Sequence, residues 1–404
     1  MSATAGNPTV PKPDSAKSEE RRALGVACGA HALHDGYTDL VYVMLPIWQS
    51  EFGLGFAALG LMKTVFSGTM AGFQIPAGFL AERFGAAAIL ALGTALAGLG
   101  YVLAGLSTGV VLLAAALFVG GLGASTQHPL GSSLIAHAFA GTRSLKALGT
   151  YNFSGDIGKM TLPATAALLL VVLPWRHALI LLGALGAIAA LAIFLIIPRF
   201  RDEPVAARKS DDTTRPVSAV RAYGFPLLLS VGVIDSATRM PFLTFLPFVL
   251  TAKGASLQTV GLALTLVFAG GAVGKLVCAF IGARIGAVAT VWLTETVTAL
   301  GIVALLPLPL EAALLLPIVG IALNGTSSVL YGSVPDLVEP AWRQRAFSIF
   351  YTGTIGSGAV SPAVYGLLGD AVGVPTALIV VAAVVLLTLP ITFVLRPALA
   401  VRPS

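Results

Sequence analysis

Twelve apolar stretches run through this chain of 404 residues, at 23–47, 56–80, 86–107, 109–137, 145–172, 176–197, 222–250, 257–282, 286–308, 312–335, 343–369 and 372–395. Each is about the 20 residues that a helix needs to cross a bilayer. Backbone N–H and C=O groups inside hydrocarbon must be satisfied within their own segment or in a closed barrel. Runs of this length therefore predict helices, and the chain reads as an all-α membrane protein with twelve transmembrane helices. Only 10% of its residues are charged, against about 25% in soluble domains. The connections are short except for 198–221, a polar, charged segment that divides the spans six and six. The expected organisation is a disordered cytoplasmic tail at 1–22, a six-helix bundle at 23–197, a cytoplasmic linker at 198–221, a second six-helix bundle at 222–396 and a short tail at 397–404. No apolar core with a small-residue cleavage site precedes the first span, so no cleaved signal peptide is expected.

Lys and Arg set the orientation. With the N-terminus inside, 18 of the 24 basic residues fall in inside segments, and only Arg176 and Lys253 lie outside. Both termini are therefore expected in the cytoplasm of a multi-pass inner (plasma) membrane protein. The same distribution explains the net charge of +6 without a nucleic-acid partner. The four remaining basic residues, Lys63, Lys159, Arg239 and Lys275, fall inside spans. Cys28 and Cys278 offer neither metal-ligand spacing nor a disulfide framework. The chain has no HExxH, no Gly-x-Ser-x-Gly and no Walker loop. It is thus not expected to be an enzyme or an ATP-driven pump, and neither cofactor nor metal is expected.

The two halves repeat. An offset of 201 residues brings Pro46 onto Pro247, Gly60-Leu61 onto Gly261-Leu262, Arg83-x-Gly85 onto Arg284-x-Gly286, and Gly131-Ser132 onto Gly332-Ser333. Two parallel six-helix repeats related by an axis along the membrane normal are the plan of a major facilitator transporter, with the substrate site near the midplane where the repeats meet.

Gly78-Phe-Leu-Ala-Glu82-Arg83-Phe-Gly85, with its weaker copy ending at Arg284 and Gly286, resembles the loop motif between helices 2 and 3 of the major facilitator superfamily. Glu82 stands where that family usually has Asp. Within the superfamily, His31-x-x-His34-Asp35, Glu51-Phe-Gly-Leu54 and His128-Pro-x-Gly-Ser132-Ser133 resemble the fosmidomycin-resistance-like drug exporters. The resemblance implies the major facilitator fold of two pseudo-symmetric six-helix bundles, alternating access through a central cavity, and exchange of drug for protons. It also implies a conformational-switch role for Gly78, Glu82, Arg83, Gly85, Arg284 and Gly286. Helix 5 carries Gly149, Gly155, Gly158 and Pro163, without the tight Gly-Pro pair of the family's antiporters.

Ionisable residues at bilayer depth are costly and mark functional routes. They cluster on the helices that line or flank the cavity in that family. The proton-coupling candidates are His34, Asp35, His128 and Asp235, because imidazoles and buried carboxylates can change charge in the working pH range. Adjacent residues on a helix point about 100° apart, so His34 and Asp35 diverge, while His31 and Asp35, at i,i+4, share a face. Substrate-binding candidates are His31, Tyr37, Gln127, Asn152, Asp156, Lys159, Arg239, Lys275, Asn324 and Tyr331. Asp156/Lys159 and Asp235/Arg239 have ion-pair spacing on their own helices, as structural pairs or as gates. Lys275 has no acid at i±3 or i±4, so a substrate or another helix must satisfy it. Lys63 is expected to snorkel to the interface, Glu295 to make a local hydrogen bond, and Asp39 to be a weaker candidate than Asp35.

These residues predict a secondary active transporter, a monomer whose partners are a small molecule, protons and membrane lipids. The expected activity is proton-coupled efflux of a drug-like or anionic compound. The alternatives are a proton-coupled importer of an organic anion or nutrient and, in another class, a membrane-embedded enzyme or sensor.

Overall fold

The computed structural model describes residues 13–139, 142–197, 223–339 and 342–400. Within these, the chain is helical throughout. The N-terminal half comprises α1 (Pro13–Phe52), α2 (Phe56–Gly72), α3 (Gln74–Phe84), α4 (Ala86–Gly105), α5 (Val110–Ala124), α6 (Gln127–Ala138), α7 (Thr142–Val172) and α8 (Trp175–Ile196). The C-terminal half comprises α9 (Gly224–Ala252), α10 (Leu257–Ile285), α11 (Ala287–Leu305), a 3-10 turn (Leu310–Leu315), α12 (Leu316–Leu337), α13 (Arg343–Val372), α14 (Val374–Val385) and α15 (Thr388–Ala400). The linker 198–221 and the segment 1–12 lie outside the described residues. Residues 13–22, expected in a disordered tail, are the first turns of α1.

Among the described residues nine spans have the length and apolarity of a membrane crossing, and the bent pair α2–α3 makes a tenth. The 40-residue α1 and the 30-residue α13 complete the twelve. They are long enough but carry polar side chains. Three spans are broken, and each break lies four residues before a proline. α2 ends at Gly72, ahead of Pro76; α5 gives way at Ser125, ahead of Pro129; α14 gives way at Leu386, ahead of Pro390. Proline has no N–H to return to the carbonyl four residues earlier, and its ring crowds that carbonyl. The first of these breaks bends the span by 44°.

The repeat seen in the sequence reappears in the backbone. Gly53 and Gly254 have φ of 64° and 85°, and Gly85 and Gly286 have φ of 88° and 86°. Each pair keeps the 201-residue offset, and each glycine marks the same corner in its half. Small residues also set helix spacing inside the N-terminal bundle. A Cβ on Gly158 of α7 would lie 1.8 Å from the Ala32 carbonyl oxygen of α1, so these backbones touch.

The two halves meet through α1, α2 and α7 on one side and α9, α10 and α13 on the other. One continuous apolar core joins them at the end of the bundle away from the chain termini. It includes Tyr42, Trp48 and Phe66 of the first half and Phe242, Phe245 and Leu264 of the second. At the terminus end the core splits into two clusters, one per half: Ala23 to Ile197, and Leu228 to Ala398. The molecule is thus sealed at one end and parted at the other. At the sealed end Asp370 of α13 accepts hydrogen bonds from the backbone N–H groups of Phe56 (2.6 Å) and Ala57 (2.9 Å) at the start of α2.

Candidate functional site

Between the halves lies a cavity of about 200 Å³. α1 contributes Asp35, Thr38, Asp39 and Tyr42; α2 and α3 contribute Lys63 and Gln74; α6 and α7 contribute His128, Asp156 and Lys159. The second half contributes Arg239 from α9, Asn324 and Tyr331 from α12, and Thr354 from α13. Three cations and three carboxylates therefore face one small space, with an imidazole beside them.

Asp35 is the hub of the N-terminal side. Its Oδ2 lies 3.4 Å from His31 Nε2 and 3.3 Å from Lys159 Nζ, and its Oδ1 lies 3.8 Å from His128 Nε2. His31 is fixed from behind. Its Nδ1 is 2.7 Å from the Tyr151 carbonyl, and its ring stacks on Tyr151 with centroids 4.0 Å apart. A carbonyl only accepts, so Nδ1 carries a hydrogen and Nε2 is the atom turned to Asp35. If neutral, that nitrogen aims a lone pair at the carboxyl group.

The acid–base partners on α7 differ from the same-helix expectation. Asp156 and Lys159 do not pair with each other. Lys159 reaches back to Asp35 on α1, and Asp156 pairs with Lys275 of α10, at 2.6 and 2.8 Å. α7 is wedged between α1 and α10, so its polar face is shared by two neighbours, and both acids find bases on other helices. Lys275 is thereby satisfied across the interface of the halves, as its lack of a same-helix acid required. The expected Asp235/Arg239 ion pair is also not formed. Asp235 is turned into the bundle, 5% exposed, toward Glu295 of α11. Arg239 lines the cavity and, among the described residues, forms no ion pair and leaves its buried Nε without a hydrogen-bond partner.

The structure corrects the placement of Lys63 and puts Asp39 beside Asp35 on the cavity wall. Lys63 does not snorkel. It is 1% exposed, donates to the Thr38 carbonyl at 2.7 Å, and sits 4.2 Å from the centroid of the Tyr42 ring. Asp39, one turn beyond Asp35, lines the cavity and makes no hydrogen bond or ion pair among the described residues. It is at least as well placed as Asp35 to meet a ligand. Both lie inside the bundle, Asp39 because the long α1 keeps several turns there and Lys63 because α2 turns it toward α1.

Several candidates lie off the cavity. His34 packs between α1 and α4. Thr94 gives its only hydroxyl hydrogen to the Leu90 carbonyl (2.8 Å), so it accepts from His34 Nε2 (2.9 Å). That leaves His34 Nδ1 without a hydrogen-bond partner among the described residues. A second proton there would be a buried donor with no acceptor, which is costly, so this setting favours a neutral, packing His34. Tyr37 is fully buried and donates to the Leu182 carbonyl at 2.7 Å. Gln127 is 1% exposed against Tyr151, and Asn152 points outward. Asn324 and Tyr331 do reach the cavity, the latter with its hydroxyl 3.2 Å from Thr354 Oγ1. In the expected switch loop, Gly85 and Gly286 supply the positive-φ corners, Arg83 and Arg284 lie over Phe84 and Phe280, and Gly78 has open space beside it. Glu82 forms no ion pair among the described residues.

A two-fold helical bundle, sealed at one end, with charged groups at the seam of its halves defines a secondary transporter. The sequence profile of the Major Facilitator Superfamily matches residues 27–234 and 227–404, and the chain belongs to that family of transporters rather than to any enzyme family. It is 26% identical over 383 residues to the "Probable sulfoacetate transporter SauU" of Cupriavidus necator, covering 87% of each chain. It is also 26% identical over 359 residues to the fosmidomycin resistance protein of Escherichia coli, covering 86% of each. Its fold resembles the crystal structure of a bacterial homologue of the human lysosomal transporter Spinster in an inward-facing, unoccupied conformation. The TM-score there is 0.78, with 16% identity, over 98% of this chain and all of the other.

Proposed function

We propose that this chain carries a small organic anion across the inner membrane in company with a proton, with both termini in the cytoplasm. The observation that carries the reading is Arg239, a guanidinium on the cavity wall that forms no ion pair among the described residues and whose buried Nε is unpartnered there. A partly buried charge with no direct ion pair is under-satisfied, and a planar fork suits a carboxylate or sulfonate. The substrate's acidic group supplies the missing partner, and Asn324 and Tyr331 offer hydrogen bonds beside it.

The sign of the proton linkage follows from charge. Lys159 is held by Asp35 at 3.3 Å. A proton on Asp35 removes that hold and gives the ammonium to the cavity, which favours an anion. Proton and anion thus bind together, so an inward proton gradient drives import. This favours the importer over drug–proton exchange. With positive-inside orientation the sealed end faces out, and the open cavity faces the cytoplasm. A second reading, efflux, is favoured by the similarity to the fosmidomycin resistance protein.

Sulfoacetate is the first probe, since a relative of similar length bears its name. In proteoliposomes, an inward acid gradient should accelerate its uptake. Arg239→Ala should abolish uptake and Arg239→Lys should retain part of it. Uptake that is indifferent to Arg239→Ala would refute the anion-site assignment. If neither sulfoacetate nor a panel of other small carboxylates and sulfonates is moved, the organic-anion reading falls.

A further inference from the structure

Glu295 is the buried charge that the cavity does not account for. It sits on α11, a helix otherwise built of apolar residues and threonines, and is 1% exposed. It does not line the cavity. Its carboxyl group faces that of Asp235 on α9, itself only 5% exposed. Two ionised carboxylates facing each other away from water repel, and both can only accept hydrogen bonds, so one proton between them relieves the pair. The Oε1 of Glu295 is closed to solvent and meets no protein donor among the described residues. An acid O–H would supply what is missing.

The internal repeat points to the same place independently. The 201-residue offset that relates His34 to Asp235 also relates Thr94 to Glu295. In the N-terminal half these positions hold a donor–acceptor pair, His34 to Thr94 at 2.9 Å, which is complete without an exchangeable proton. In the C-terminal half the equivalent positions hold two acids. The charged and titratable groups that face them are Arg239, one turn along α9, and Tyr331 from α12. Thr326 of α12 and Thr294 beside Glu295 complete the polar surroundings, 2.7 Å apart. Among the described residues no cation forms an ion pair with either acid.

We propose that Asp235 and Glu295 bind one exchangeable proton between them, making a proton site in the C-terminal half that is set back from the cavity and linked to it by Arg239. Its use in coupling rests on the proton-linked reading above; its occupancy is a property of the pair alone. With the proton the pair carries one negative charge, and without it two. Loss of the proton breaks one acid O–H bond, passes the proton to water in the opened cavity, and draws Arg239 back from a bound anion. Glu295 acts through Arg239 and is a positioning residue for the substrate.

Infrared spectroscopy of the purified full-length protein tests this, because a protonated carboxyl group has its own C=O stretch, which shifts in D2O. The expected result is a carboxylic-acid band at neutral pH that disappears in both Asp235→Asn and Glu295→Gln and persists in Asp35→Asn. A wild-type spectrum with no such band at neutral pH overturns the proposal, whatever the variants' folding. So does a band that survives both C-terminal-half substitutions in protein shown by thermal unfolding to be intact. In proteoliposomes Glu295→Gln should lower the number of protons moved per anion while exchange of anion for anion continues. A band present in a protein whose transport moves no protons keeps the proton site and overturns only the coupling.

Discussion

Replacing Asp370 by Ala should loosen the sealed end of the molecule. α2 begins without a local side-chain cap: its N-cap residue is Gly55, and the first N–H groups of a helix need acceptors. Asp370 supplies them from the other half of the molecule, accepting from Phe56 and Ala57 at 2.6 and 2.9 Å, and its charge also complements the helix dipole. Gly55 leaves the room for this, because a Cβ there would come to 3.0 Å from both carboxylate oxygens. Removing a cap costs about 0.5–2 kcal/mol. Asp370 is exposed, so solvent screens part of this, and about 1 kcal/mol is the better figure. At 1.4 kcal/mol per factor of ten, the equilibrium between sealed and open forms should move about fivefold toward open. Spin labels on the distal ends of α2 and α13, read as a distance distribution, measure that ratio directly. Asp370→Asn, which keeps an acceptor and loses the charge, should fall between wild type and Asp370→Ala. An unchanged distribution in Asp370→Ala would refute the idea that this contact holds the halves together.

Three further outcomes follow from the packing. His34→Asn should cost about 1 kcal/mol of stability and leave the pH profile of transport unmoved, as measured by thermal unfolding and uptake; a shifted profile would show that His34 titrates. Gly158→Ala places a methyl against the Ala32 carbonyl, and about 1–3 kcal/mol of overpacking should appear as a lowered unfolding temperature; an unchanged one would contradict the close α1–α7 contact. Asp156→Asn and Lys275→Met should each impair transport, and the double variant should be less impaired than the sum of the two, since each single change leaves a charge unpaired at the seam; strict additivity would contradict the pair.

The twelve spans, the six-and-six division and the repeat were legible because apolar run length and internal similarity are local properties of a chain. α1 and α13 were recognisable as spans despite their polar residues, since the runs around those residues are long enough to cross. Same-helix neighbours were legible too, as with His31 and Asp35, because helical geometry places i and i+4 on one face. Partners on different helices were not. Lys159 answers to Asp35, Asp156 to Lys275 and Asp235 to Glu295, and each pairing depends on which helices pack together and at what depth. Spacing within one helix carries no such information, so it suggested two same-helix ion pairs that do not form. The equivalence of Thr94 and Glu295 was available in the 201-residue offset, but a threonine among apolar residues draws no notice until its histidine partner is seen.

The direction of proton movement relative to the anion tests the central claim most directly. Proteoliposomes loaded with a pH-sensitive dye and no imposed pH gradient would be given an inward sulfoacetate gradient. Co-binding of proton and anion predicts that the lumen acidifies as the anion enters, and that Asp35→Asn removes the acidification. Alkalinisation of the lumen during anion entry would mean exchange, and would contradict the account.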